Sequence, residues 1–210
     1  MFLSALILNP RCREARADLS DPYEMHRTLS RAFPDQSDGG AGDVLWRLDV
    51  DHRSGVSSVL VQSSLPPRWE NITQRSPEYF AFRDAGGDAM KTRELPALQF
   101  VAGQCFHFRL RANPTVKREG KRHGLQTEEE QSNWLVRKGS NHGFRLLNVR
   151  VVSEPPRESR EKGRSMKFAS VLFDGQLCVT DPVQFTAAWR EGIGSAKGFG
   201  FGLLSIARCE

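Results

Sequence analysis

The chain has 210 residues, 39% hydrophobic and 26% charged, a composition that excludes collagen-like, mucin-like and wholly disordered chains at a length suited to one or two domains. Thirty Lys and Arg against 25 Asp and Glu leave a net charge of +5, which points to an anionic partner only if the excess is clustered. The longest uncharged apolar stretch, Met1 to Leu8, is far short of the roughly 20 residues that span a bilayer; it lacks a basic n-region and a small-residue cleavage site, so the expected compartment is the cytoplasm.

Phe2 to Leu8 reads as a first strand, and Asn9 to Ser20 as a polar, Arg-rich connection. Asp21-Pro22 opens a helix, Asp as cap and Pro in the first turn. Met25, Leu29 and Phe33 recur at helical spacing and carry it to Phe33, before Pro34. A Gly/Asp/Ser loop over 35–43 leads to alternating Val44, Trp46, Leu48 and Val50, a half-buried strand. Val56 to Ser63 is its partner across Ser54-Gly55. Pro66 to Glu94 reads as loop with one short helix. Leu98 to Arg111 is a strand with Phe106, Phe108 and Leu110 on one face and a basic row, His107, Arg109 and Arg111, on the other.

The second half repeats this rhythm. A helix runs from Thr127 to about Lys138, then a strand from Phe144 to Val152. Ser153 to Ser165 reads as a polar loop with Pro155-Pro156 and a basic cluster. Lys167–Phe173 and Gln176–Thr180 read as a hairpin around Asp174-Gly175, a strong two-residue turn signal. Asp181-Pro182 caps a helix through Trp189, a glycine-rich segment follows, and Gly202 to Ala207 closes as a strand. The element order predicts an α+β protein of two tandem ferredoxin-like (RRM-like) βαββαβ domains, 1–112 and 113–210. Cys12, Cys105, Cys178 and Cys209 form no CxxC pair; they read as packing residues or incidental thiols, without a zinc site or a disulfide framework.

Four local features could carry chemistry. Tyr23 and His26, at i and i+3, share a face in the first turns of the first helix, beside the core stripe. A helix N-terminus attracts anions and disfavours imidazolium, so a neutral imidazole and a phenol there suit acid/base work on a phosphodiester. The same spacing equally serves a boundary histidine with a tyrosine packed beside it. The second feature is Arg157, Arg160, Lys162, Arg164 and Lys167, interrupted by Glu158 and Glu161; it fits either a hairpin entering a nucleic-acid groove or a solvated loop. The third is Lys117, Arg118, Lys121 and Arg122, which with the row at Arg109 and Arg111 is the densest basic region of the chain. The fourth holds Gly192, Gly194, Gly198, Gly200 and Gly202 around Lys197. It is neither a P-loop nor GxGxxG, but its glycines permit close backbone approach to a ligand or to another strand. HxH, HExxH and GxSxG are absent, so chemistry on a nucleic acid here is expected to be metal-free and to need no cofactor.

The segments Met1-Phe-Leu-Ser-Ala-Leu-Ile-Leu-Asn9, Pro22-Tyr-Glu-Met-His-Arg27, Phe108-Arg-Leu-Arg-Ala-Asn-Pro114, Val171-Leu-Phe-Asp-Gly175, Gly192-Ile-Gly-Ser-Ala-Lys197 and Gly202-Leu-Leu-Ser-Ile206 stand in a specific order. In them the chain resembles the CasE-type CRISPR repeat-processing endoribonucleases of type I-E systems, from residue 1 to about 207. The resemblance implies tandem ferredoxin-like domains, binding of a CRISPR repeat hairpin, and metal-independent cleavage at the base of the stem by 2′-OH attack. It also implies retention of the guide RNA as a subunit of Cascade, in antiviral defence. The family's Tyr and His fall on Tyr23 and His26, with Lys162, Arg164 and Lys197 as candidates for a stabilising cation. Arg157 to Lys167 matches the family's basic hairpin. RNA contacts are expected from Arg27, Arg109, Arg111, Lys117, Lys121, Arg122, Arg157, Arg160, Lys162, Arg164, Lys167 and Lys197, and from the glycine-rich loop. A non-catalytic RNA-binding subunit on the same fold is the alternative. Phe199 and Phe201 depart from the family's pattern and fit either packing beneath the sheet or stacking on RNA.

Overall fold

The computed structural model describes residues 1–33, 44–51, 53–81, 88–161 and 164–209, without the side chains of Arg160, Glu161 and Arg164. The loop expected over 35–43 lies outside these residues. In chain order the elements are β1 (Phe2–Ile7), α1 (Arg13–Ser20), α2 (Pro22–Ser30), β2 (Val44–Val50), β3 (Ser57–Ser63), α3 (Glu70–Thr73), β4 (Met90–Glu94), β5 (Cys105–Ala112), β6 (Thr115–Arg118), β7 (Lys121–Gly124), α4 (Glu128–Asn141), β8 (Phe144–Glu161), β9 (Arg164–Val179), α5 (Pro182–Glu191) and β10 (Leu204–Arg208).

The chain divides into two compact units. In the first, four strands pair in the order β2-β3-β1-β4, the 4-1-3-2 arrangement of a ferredoxin-like βαββαβ unit. In the second, the order β10-β5-β9-β8 is the same arrangement, with α4 and α5 as its crossovers and the hairpin β6–β7 inserted after β5. The expected tandem ferredoxin-like architecture is therefore present. The boundary differs from the expected 112/113: the main break follows Ala97, and β5 is the first strand of the second sheet instead of the last of the first. The edge strand that completes the first sheet is β4. Its MKTRE sequence is almost wholly exposed, so no apolar alternation marked it within the stretch expected as loop.

In the first unit, Leu6, Leu8, Met25, Leu29, Trp46, Val59, Val61, Ile72 and Tyr79 form one buried cluster. The stripe of α2 behaves as its spacing predicts. Met25 and Leu29 are fully buried, and the helix stops at Ser30, so Phe33 enters the core from the following turn. The Asn9–Ser20 connection is instead largely helical. Only Ala15 and Asp18 of α1 are buried, too small and too polar a stripe to register as periodicity. Asp18 is held by the Tyr79 hydroxyl, which donates to its Oδ2 at 2.6 Å; burial pushes both groups' pKa values up.

Two further expectations in the second unit are corrected. The described part of Ser153 to Ser165 is strand and not loop: β8 runs unbroken through Pro155-Pro156 to Glu161, and β9 begins at Arg164. Asp174-Gly175 is not a turn: β9 passes straight through, with Gly175 opposite Phe108 and Asp174 opposite Arg109 on β5. A Cβ on Gly175 would collide with the Asn148 carbonyl on the neighbouring strand, so the glycine serves close approach. β8 and β9 thus form one long hairpin that carries the basic cluster. Finally, Cys105 and Cys178 are directly opposite on β5 and β9 and are joined as a disulfide, contrary to the expectation of free thiols. Their 73-residue separation hides a contact that register alone creates.

Candidate active site

Asp21 sets the geometry of α2. Its backbone is extended, and its Oδ1 accepts the Tyr23 N–H at 2.9 Å, with Pro22 in the first turn as expected. A second donor reaches that oxygen: the hydroxyl of Ser159, 1% exposed, at 2.5 Å. Residues Glu158–Met166 of the β8–β9 hairpin belong to the same compact unit as α2. The distal hairpin is therefore tied to the cap of the helix that bears Tyr23 and His26. The two residues are 138 positions apart, and nothing in the sequence linked them.

Tyr23 and His26 are both half-buried on α2. Nδ1 of His26 is buried and has no hydrogen-bond partner among the described residues, and burial holds the imidazole below its ordinary pKa of 6.5. Desolvation disfavours the charged ring, so the neutral imidazole is favoured. Nε2 is the nitrogen left for a substrate. Arg27, next on the helix, is exposed and ion-paired with Glu24.

The expected basic row on β5 is largely neutralised. Arg109 makes a bidentate pair with Asp174 at 2.7 and 3.2 Å. Arg111 is 5% exposed and paired with both oxygens of Glu154 at 2.7 and 2.8 Å. Burial alone would push the Glu154 carboxyl up, but Arg111 and the Ser170 hydroxyl together hold it below the usual glutamate range. The expectation of Arg111 as a surface contact for RNA is thereby corrected: in the sequence it alternated with core residues, but Ala112 and Asn113 after it are buried too.

The remaining expected contacts are dispersed. Lys117, Lys121 and Arg122 are exposed on the β6–β7 hairpin. Arg157 is half-buried near the Glu154 carboxylate, and Lys167 is exposed on β9. Lys162 lies outside the described residues, as do the side chains of Arg160 and Arg164. Lys197 is half-buried; burial lowers its pKa, helped by the charge of Lys138. In the glycine-rich loop Gly192, Gly194, Gly200 and Gly202 have positive φ, and Gly198 lies in a 3-10 turn over Lys197–Phe199. A Cβ on Gly200 would meet the Trp46 ring at 2.7 Å, and Trp46 Nε1 donates to the Gly198 carbonyl at 3.3 Å. That part of the loop is bound to tight packing. Phe201 is fully buried against Phe168, so it packs in the core and does not stack on RNA.

Residues 1–208 match the family model described as CRISPR associated protein. The CRISPR-associated endoribonuclease Cse3 of Thermus thermophilus is 38% identical, over 99% of this chain and all of the relative. The chain belongs to the CasE family. The CRISPR system Cascade subunit CasE of Escherichia coli K12 is 32% identical, over 99% of each chain. Among solved structures, Thermus thermophilus Cse3 bound to an RNA representing a pre-cleavage complex has a TM-score of 0.84 at 38% identity, covering 98% of each chain. A CasE-family fold accounts for two sheets of identical strand order.

Proposed function

We propose that this protein is a metal-independent endoribonuclease that binds the hairpin of a CRISPR repeat transcript and cuts at the base of its stem. It then stays on the guide RNA as a Cascade subunit in the cytoplasm. What supports this reading is the His26 ring: half-buried, favoured neutral, with one nitrogen sealed and the other left to meet a ligand, in a chain whose relatives are a CRISPR endoribonuclease and a Cascade subunit.

The chemistry follows from the protonation state. Neutral His26 accepts the 2′-OH proton at Nε2 as the 2′-oxygen attacks the adjacent phosphorus. The bond from phosphorus to the 5′-oxygen breaks, leaving a 2′,3′-cyclic phosphate. The departing 5′-oxygen takes a proton from the Tyr23 hydroxyl, one turn away on the same helix face, and solvent returns it. A cation beside the phosphorane offsets its added negative charge; Lys162, Arg164 and Lys197 are the candidates.

The test is incubation of the whole protein with a repeat RNA in EDTA. One cut is expected, and His26→Ala should slow it at least 100-fold while RNA binding persists. Equal cleavage by His26→Ala removes the catalytic assignment. Binding without any cleavage by the wild type leaves the non-catalytic RNA-binding subunit as the function.

A further inference from the structure

A cavity of about 320 Å³ in the second unit is lined by Asn113, Thr115, Lys117, Arg122, Trp134, Lys138, Gly194 and Ser195. Three chain segments build it: Asn113 with the β6–β7 hairpin, the C-terminal half of α4 and the start of the glycine-rich loop. Three of the lining residues are cations and none is a carboxylate, so its charge is uncompensated from within.

The hairpin makes the imbalance worse. Its register sets Lys117 opposite Arg122 and Arg118 opposite Lys121, and like charges directly opposite are destabilising. Lys138 holds its ammonium 5.7 Å from the centroid of the Trp134 ring, which orients it without neutralising it. The Ser195 Oγ is buried and has no partner among the described residues, an oddity for a hydroxyl that costs free energy unless something completes it. Its backbone is pinned on both sides. Gly194 has φ +93° and would meet the Trp134 ring at 3.2 Å if it carried a Cβ. Ala196 keeps a left-handed φ of 64° despite its side chain, a strain of the kind held where function needs it. Asn113 commits its Oδ1 to the Ala169 N–H at 3.0 Å, which leaves its NH2 as the end able to donate.

We propose that this cavity seats one backbone phosphate of the bound RNA, away from the scissile linkage. Lys117, Arg122 and Lys138 supply the charge, and the Ser195 hydroxyl and Asn113 amide the directed hydrogen bonds. The inference deepens the RNA-binding part of the proposed function and rests on it. Lys138 and Ser195 are the residues that sequence reasoning passed over: a lysine at a helix C-terminus reads as a partner of the helix dipole, and a serine between glycines as loop.

The experiment measures affinity of the full-length protein for a repeat RNA hairpin against salt, for wild type, Lys138→Gln, Lys138→Arg, Ser195→Ala and the control Arg157→Gln. Removing one phosphate contact should lower the log–log salt slope by about 0.7–0.9. Lys138→Gln is expected to weaken binding about tenfold with that slope change, Lys138→Arg to restore most of both, and Ser195→Ala to lose about threefold. RNAs carrying one neutral methylphosphonate at a time should then reveal a single linkage, distinct from the cut site, at which wild type loses affinity and Lys138→Gln loses nothing more. If Lys138→Gln leaves affinity and slope unchanged while Arg157→Gln moves them, RNA binding stands and the phosphate seat is refuted. Protection of the wild type against thermal unfolding by inorganic phosphate, with no coupled RNA linkage, refutes it in favour of a free-anion site. A wild type that binds no repeat RNA refutes it together with the proposed function.

Discussion

Replacing Asp21 by Ala removes an oxygen that serves two donors, the Tyr23 N–H at 2.9 Å and the Ser159 hydroxyl at 2.5 Å. Loss of a helix N-cap costs about 0.5–2 kcal/mol. A hydroxyl at a site 1% exposed, deprived of its acceptor, adds about 1–3 kcal/mol. Together these come to about 1.5–5 kcal/mol, or a fall of about 3–20 °C in Tm for a chain of this size. Asp21→Asn keeps an oxygen in the same place and should lose less than half as much. Ser159→Ala leaves the cap intact and should cost about 1 kcal/mol. Thermal melts by circular dichroism measure all three. Because His26 sits in the helix that this cap starts, single-turnover cleavage by folded Asp21→Ala should drop by up to about 100-fold, the scale of a displacement near 1 Å. The reasoning fails if Asp21→Ala melts within a degree of wild type, or if Asp21→Asn is as damaging as Asp21→Ala.

Two further outcomes are expected. Burial keeps His26 below its ordinary 6.5, so the unfolded chain takes up this proton at a higher pH than the folded one. Stability contributed by the neutral ring is therefore present above about 6.5 and is lost as pH falls through 6.5 toward the folded value. His26→Gln should flatten that part of a stability–pH curve, and the wild-type cleavage rate should hold from neutral pH to below 6.5 before falling. An acid limb centred above 6.5 contradicts the base role. Removing Arg111 strands the Glu154 carboxylate in a largely buried site: Arg111→Ala should lose about 3–5 kcal/mol by chemical denaturation, with the salt slope of RNA binding at its wild-type value. A lowered slope in a stably folded Arg111→Ala returns that arginine to the RNA surface.

Sequence pattern alone determined those elements whose cause is local. Met25 and Leu29 recur at helical spacing, Asp21-Pro22 and Asp181-Pro182 carry their own caps, and Phe106, Phe108 and Leu110 alternate, so α2, α5 and β5 were legible in kind, with the face that holds Tyr23 and His26; their ends were not, since α2 stops at Ser30 short of Phe33 and β5 starts at Cys105 instead of Leu98. Where cause is distant, pattern was silent or misleading. β4 has no buried side to announce it, and Asp174-Gly175 has the composition of a turn yet extends, because Gly175 lets a neighbouring strand pass close by. Arg111 looks like one of a solvent-facing row until Glu154 meets it across the sheet, and Cys105 finds Cys178 only through strand register. Such contacts join residues that chain entropy keeps apart until the sheets form. Tertiary structure therefore decided which charges are spent on carboxylates, which oxygen caps the helix that carries Tyr23 and His26, and which cations are gathered around one cavity.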